Sequence, residues 1–215
     1  KKMTYLVPII TDRSLPNFDK RLAYYHDLFN IISLLPINIL NYLNWNGLKI
    51  DYPNNDWNGD YFWGLLVYFM IYILTDTYII IKFPNCVKCP KIILGHHIST
   101  IISLTLPIFY ENTRWAMGGL LLVEFNTWHL TLRRVKLPYL LYLLNELLFY
   151  ITWFTFRIYY NLILMKSIFK YWLKTNSCCL GILCLIPNIL LILNLKWSYS
   201  LIKNLIYKNN KTSLS

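Results

Sequence analysis

Residues 91–111 read KIILGHHISTIISLTLPIFYE, and this stretch decides the fold. As a helix, 92–110 would extend about 28 Å, close to the roughly 30 Å hydrocarbon thickness of a bilayer. Two adjacent histidines, His96 and His97, stand just inside its basic end. An ionisable side chain in a spanning segment is costly unless paired, so such residues are functional candidates by default.

Composition extends the same reading to the whole chain. Of 215 residues, 56% are hydrophobic, 17% aromatic and only 14% charged, against about 25% charged in an ordinary soluble domain. Long apolar blocks alternate with short basic clusters, the pattern of a polytopic α-helical membrane protein. The net charge of +11 comes from Lys and Arg at segment ends. They form no basic face, which argues against nucleic-acid binding. Five cysteines, Cys86, Cys89, Cys178, Cys179 and Cys184, form no secreted-type disulfide framework. Cys86 and Cys89 have zinc-like spacing, but no second pair follows, so they read as incidental thiols.

Working outward, six spans are predicted: 22–43, 61–81, 92–110, 115–132, one opened by Pro138 and running to about 165, and 178–198, which Pro187 interrupts. The stretch 158–172, aromatic with spaced lysines, is expected to lie at the membrane interface. The organisation is a polar lead-in (1–20), one six-helix membrane domain (21–203) and a basic tail (204–215). Six spans put both termini on one side. Lys and Arg gather in the lead-in, after the second span (Lys82, Lys88, Lys91), after the fourth (Arg133, Arg134, Lys136) and in the tail. The positive-inside rule therefore places both termini in the cytosol. Lys166, Lys170 and Lys174, on the opposite side, are the exception.

Counted from these basic edges, His26, Asp76, His96 and His129 all lie about 6–9 Å inside the cytosolic boundary. Asn126 and Asn194 are near that layer, and Glu124 is a turn deeper. His96, Ser99, Thr100 and Ser103 share one face of the third span, and Glu124, Thr127 and Thr131 one face of the fourth. Matched polar stripes imply an all-α bundle of six transmembrane helices enclosing a cytosol-facing polar pocket. Adjacent helical residues point about 100° apart, so one of His96 and His97 is expected in the pocket and the other against a neighbouring helix. His26 and His129 also read as hydrogen-bonding side chains between helices. Arg157 reads either as a side chain reaching the far headgroups or as a structural ion pair.

Six motifs in order resemble the TLC-domain family, the lipid-handling module of ceramide synthases and related proteins. They are RLAYYHDLF with His26, VYFMIYILTDTYIII with Asp76, LGHHIST with His96 and His97, LLLVEFNTWHLTLRR with Glu124, Asn126 and Thr127, FTFRIYY with Arg157, and ILNLKWSYSLI with Asn194 and Trp197. Ceramide synthases carry an aspartate pair on the helix after the double histidine. Here RWAMGGLLLVEFNTW has none, so the chain resembles the branch outside the ceramide synthases.

The resemblance implies an endoplasmic-reticulum acyltransferase of sphingolipid metabolism, passing an acyl group from acyl-CoA to a long-chain amine to give a ceramide-like amide. An imidazole titrating near pH 6.5 suits the base or nucleophile such a transfer needs. His96 or His97 would serve, with Asp76 orienting the ring and Glu124 assisting proton transfer. His26, Ser99, Thr100, Asn126, His129, Arg157, Asn194 and Trp197 are the expected substrate-binding residues. No bound cofactor or metal is expected, and acyl-CoA would be a co-substrate. The expected partners are membrane lipids, fatty acyl-CoA, and a second copy of the chain or a larger membrane complex. Three alternatives stand beside acyl transfer: lipid binding without catalysis, a structural subunit, and intramembrane metal binding.

Overall fold

Asp19 starts the first helix, its carboxylate accepting from the backbone N–H of Arg21 (2.8 Å) and Leu22 (3.2 Å), which caps donors with no intrahelical partner. From there the computed structural model runs through α1 (Lys20–Leu43), α2 (Phe62–Lys82), α3 (Pro90–Phe109), α4 (Arg114–Leu132), α5 (Tyr139–Thr152), a π-helical section (Trp153–Tyr160) and α6 (Asn161–Thr175). It describes residues 19–47, 49–50, 54–175, 181, 185, 188–189, 191–199 and 201–203, and 191–199 and 201–203 are also helical. The expected lead-in before residue 19, the tail after 203, Cys178, Cys179, Cys184 and Pro187 lie outside the described residues.

Among the described residues, three helices are long and apolar enough to cross a membrane: Phe62–Lys82, Pro90–Phe109 and the continuous Tyr139–Thr175. Their outer faces carry exposed apolar side chains at helical spacing, such as Val67, Ile71, Leu74 and Tyr78 on α2 and Leu140, Leu143, Leu147 and Ile151 on α5. Water would penalise such stripes and lipid accepts them. At 24 and 19 residues, α1 and α4 could also span by length. Both are richer in polar groups, including Asp27, Asn30, Asn41, Glu124 and Asn126, which are buried inside the bundle. Six spans are thus not all distinguished by length and apolarity, and 178–180, 182–184, 186–187 and 190 of the sixth lie outside the described residues.

The stretch 158–172 continues the fifth span without a break, and Tyr139–Thr175 is one 37-residue helix. It contains neither Gly nor Pro, and so no residue that would end it. At about 55 Å it exceeds the 40–45 Å bilayer including headgroups, leaving room for Lys166, Lys170 and Lys174 beyond the hydrocarbon.

α4 is the central helix, packing against α1, α3, α5 and α6. Its Gly118–Gly119 pair makes this approach close: a Cβ on Gly118 would lie 2.1 Å from the Trp57 ring, and one on Gly119 2.8 Å from Leu164. Asn41 of α1 donates to the Gly118 carbonyl at 3.1 Å, and Trp128 of α4 donates to the Ile31 carbonyl at 3.0 Å. The main apolar core joins α1, α2, α3 and α4 through Leu34, Ile37, Leu65, Phe69, Leu104 and Met117. A second core sets α6 over the start of α4 and the loop between α1 and α2, through Ile50, Trp115, Leu164 and Ile168.

Candidate functional site

The polar residues separate into three groups at the α1–α4 end of the bundle that carries the histidines. In the first, Asp76 on α2 stands between two imidazoles. His26 Nε2 of α1 lies 2.5 Å from Asp76 Oδ1, and His97 Nε2 of α3 lies 3.3 Å from Oδ2. All three side chains are buried. Further partners flank both rings. Tyr72 donates to Asn30 Oδ1 at 2.7 Å, which turns the Asn30 amide N–H toward the His26 ring, 3.3 Å from both of its nitrogens. The carboxylate at 2.5 Å makes Nε2 of His26 the donor. On the other side Thr77 Oγ1 sits 2.9 Å from His97 Nδ1. One carboxylate thus ties α1 and α3 to α2.

The second group is the cavity between α3 and α4, about 30 Å³ in volume, lined by His96, Thr100, Ser103, Leu104, Met117 and Glu124 among others. That is room for about two water molecules. His96 Nδ1 is buried with no hydrogen-bond partner. Helical geometry therefore divides the pair as expected: His97 faces Thr77 and Asp76 of α2, and His96 turns to the cavity that Glu124 also lines. Thr100 and Ser103 line it too, but their hydroxyls donate back to the His96 and Ser99 carbonyls at 2.9 and 3.0 Å. Ser99 donates to the Gly95 carbonyl at 3.0 Å and is not brought to the cavity. Much of the polar stripe on α3 is hydroxyl groups satisfied within their own helix.

The third group surrounds Arg157, in the π-helical section. Its guanidinium donates to Asn126 Oδ1 (2.6 Å), Thr127 Oγ1 (2.7 Å) and Asn194 Oδ1 (3.1 Å), and lies 5.0 Å from the centre of the Trp153 ring. Asn126 in turn donates to the Phe149 carbonyl (3.0 Å) and to Thr152 Oγ1 (2.9 Å). Arg157 is 7% exposed, so it does not reach outward to headgroups, and it makes no direct ion pair among the described residues. It is instead a cation held by neutral acceptors, acting electrostatically on Glu124 and His96. π-helical segments recur at functional sites, and this one carries the buried arginine.

Two expected site residues lie elsewhere. His129 donates from Nδ1 to Asn145 Oδ1 of α5 at 2.7 Å, while Asn145 donates to the His129 carbonyl at 3.1 Å. This joins α4 to α5, although His129 Nε2 has no partner. Trp197 packs with Phe149, Trp153 and Leu201. The equal depth read from sequence does not bring the four histidines to one pocket, because depth leaves open which neighbouring helix each faces.

Sequence reasoning missed Asn30, Tyr72, Thr77 and Asn145 as partners. Asn30 had a signal, one helical turn from His26, and Thr77 is beside Asp76. Arg133 forks onto Glu146 (2.5 and 3.1 Å) and Arg134 reaches Asp27 (2.9 Å), fastening the basic end of α4. In the turn between α2 and α3, burial, then the Asp76 carboxylate, push the Cys86 thiol up to about 11. That keeps the thiol protonated and inert. Among the described residues, no three of His, Cys, Asp and Glu are arranged to hold a metal ion.

The family model described as TLC domain matches residues 25–203. No curated protein matches the chain, and no solved structure does. The match covers most of the sequence and takes in the histidine cluster, the α3–α4 cavity and the arginine cage. Together with helices apolar enough for a bilayer, it makes this chain an integral membrane protein that belongs to the TLC-domain family.

Proposed function

We propose that this protein transfers a fatty acyl group from acyl-CoA to a long-chain amine, with His96 as the base. The observation that carries the reading is the buried, unpartnered His96 Nδ1 on a cavity shared with Glu124. The amine nitrogen attacks the thioester carbonyl, forming the amide C–N bond as the C–S bond breaks. His96 takes the amine proton and returns it to the departing thiolate. Glu124 assists the proton transfer. Arg157 supplies a fixed positive charge near the developing oxyanion. Asp76, His26 and His97 hold α3 at the angle that aims His96 into the cavity. Loop charge supports a cytosolic position for the histidine end and both termini, in the endoplasmic reticulum membrane.

The test is product formation by the purified full chain, supplied with oleoyl-CoA and a long-chain amine and read by mass spectrometry. His96→Ala and Glu124→Gln are expected to lose at least a hundredfold in rate. Unchanged turnover in His96→Ala overturns the assignment.

One observation favours a second reading, a protein that binds lipid without turning it over. The cavity at His96, about 30 Å³, admits water and no acyl chain, and α4 lacks any aspartate. Co-purified lipid with no turnover of labelled acyl-CoA would support this reading over the first. A further copy or a larger membrane complex remains the protein partner proposed for either reading.

A further inference from the structure

At the other end of the bundle, the turn between α3 and α4 and the loop between α1 and α2 enclose a cavity of about 500 Å³. Arg114 begins α4 there, while His129 closes it, so about 22 Å of helix separates the two ends. Unlike the small space at His96, this cavity is in the size range of ligand sites. Trp57, Trp115 and Tyr171 contribute aromatic side chains, and Glu111 and Arg114 opposite charges. More of its lining surface is polar than apolar, which disfavours an acyl chain and suits a small polar group.

We propose that this cavity binds a phosphocholine-type group, a phosphate monoanion joined to a quaternary ammonium. Three features select this chemistry. Arg114 lines the cavity and spends one Nη on Glu111 at 2.7 Å, which leaves guanidinium donors for a ligand. A guanidinium with a donor to spare is a good phosphate ligand. Next, a quaternary ammonium has no N–H to satisfy and is attracted to aromatic rings, of which three line the cavity. Last, the charges of Glu111 and Arg114 complement a zwitterion, where a simple anion would meet the carboxylate. Packing of the Arg114 guanidinium 4.4 Å from the Phe62 ring centre holds it in place. The site is independent of the proposed acyl transfer, and neither result decides the other.

The test is isothermal titration calorimetry of the full chain purified in a maltoside detergent. The probes are glycerophosphocholine and diheptanoyl phosphatidylcholine, with diheptanoyl phosphatidylglycerol as the control. Choline-bearing probes are expected to bind at least tenfold more tightly than the glycerol-headed lipid. Arg114→Gln and Trp57→Leu are each expected to weaken binding tenfold or more. Glu111→Gln is expected to weaken it severalfold; that side chain is 76% exposed, so the variant tests the site without disturbing the core. Binding of the lipid but not of glycerophosphocholine identifies a membrane-lipid headgroup, and equal binding of both identifies a soluble ligand. Equal affinity for the two lipids, no binding of either choline probe, or unchanged affinity in both Arg114→Gln and Glu111→Gln overturns the proposal.

Discussion

Replacing Asp76 tests the reasoning about the histidine cluster most directly. Its carboxylate accepts from His26 at 2.5 Å and stands 3.3 Å from His97 Nε2. A hydrogen bond to a charged group contributes about 1.5–3 kcal/mol, and a buried donor left unpaired costs about 1–3 kcal/mol. The longer His97 contact belongs at the low end. Asp76→Ala leaves the buried His26 Nε2–H without a partner, removes the charge beside His97, and is expected to cost about 3–5 kcal/mol. Asp76→Asn is milder for a specific reason. Its amide oxygen can still accept from His26, while its N–H meets His97 Nε2. The Thr77 hydroxyl proton goes to the Ile73 carbonyl at 2.6 Å, so His97 Nδ1–H donates to Thr77 Oγ1 and Nε2 can accept from that N–H. Only charge assistance is lost, so about 1–2 kcal/mol is expected.

The assay is unfolding of the purified chain in mixed micelles of mild detergent and dodecyl sulfate, followed by tryptophan fluorescence. A double-mutant cycle of His26→Ala with Asp76→Ala should give a coupling of about 1 kcal/mol or more, since the two share one bond. The reasoning is refuted if Asp76→Asn costs as much as Asp76→Ala. It is equally refuted if the two alanine changes add within about 0.5 kcal/mol.

Two further outcomes follow from single residues. Arg157→Lys should destabilise the chain by about 3 kcal/mol in the same assay, close to the effect of Arg157→Met, because a single ammonium cannot reproduce the fork reaching Asn126, Thr127 and Asn194; a Lys variant as stable as the parent would count against the cage. Cys86, kept as the sole cysteine with its thiol pushed up to about 11, is only about one part in a thousand thiolate at pH 8. Since the raised value favours the neutral thiol, maleimide labelling should accelerate about tenfold per pH unit from 8 to 10, and a flat profile would contradict the burial argument.

The sequence by itself determined what depends on neighbours along the chain. Apolar length and basic edges located α1 through α4 to within two residues, because desolvating a charge sets a sharp limit on where a helix can end in lipid. The polar stripe on α3 and the expectation that His96 and His97 point apart follow from 3.6 residues per turn. The family resemblance rests on local motifs for the same reason. Tertiary structure decided what depends on rotation about each helix axis. It gave Asp76 to two histidines at once, left His96 as the one facing the cavity, and sent His129 to Asn145. It also enclosed Arg157 in neutral acceptors and carried α5 through the π-helical section into α6. These are contacts between residues up to 107 positions apart, as with Asp27 and Arg134. Hydropathy reports how deep a side chain lies, and packing alone fixes which helix it meets.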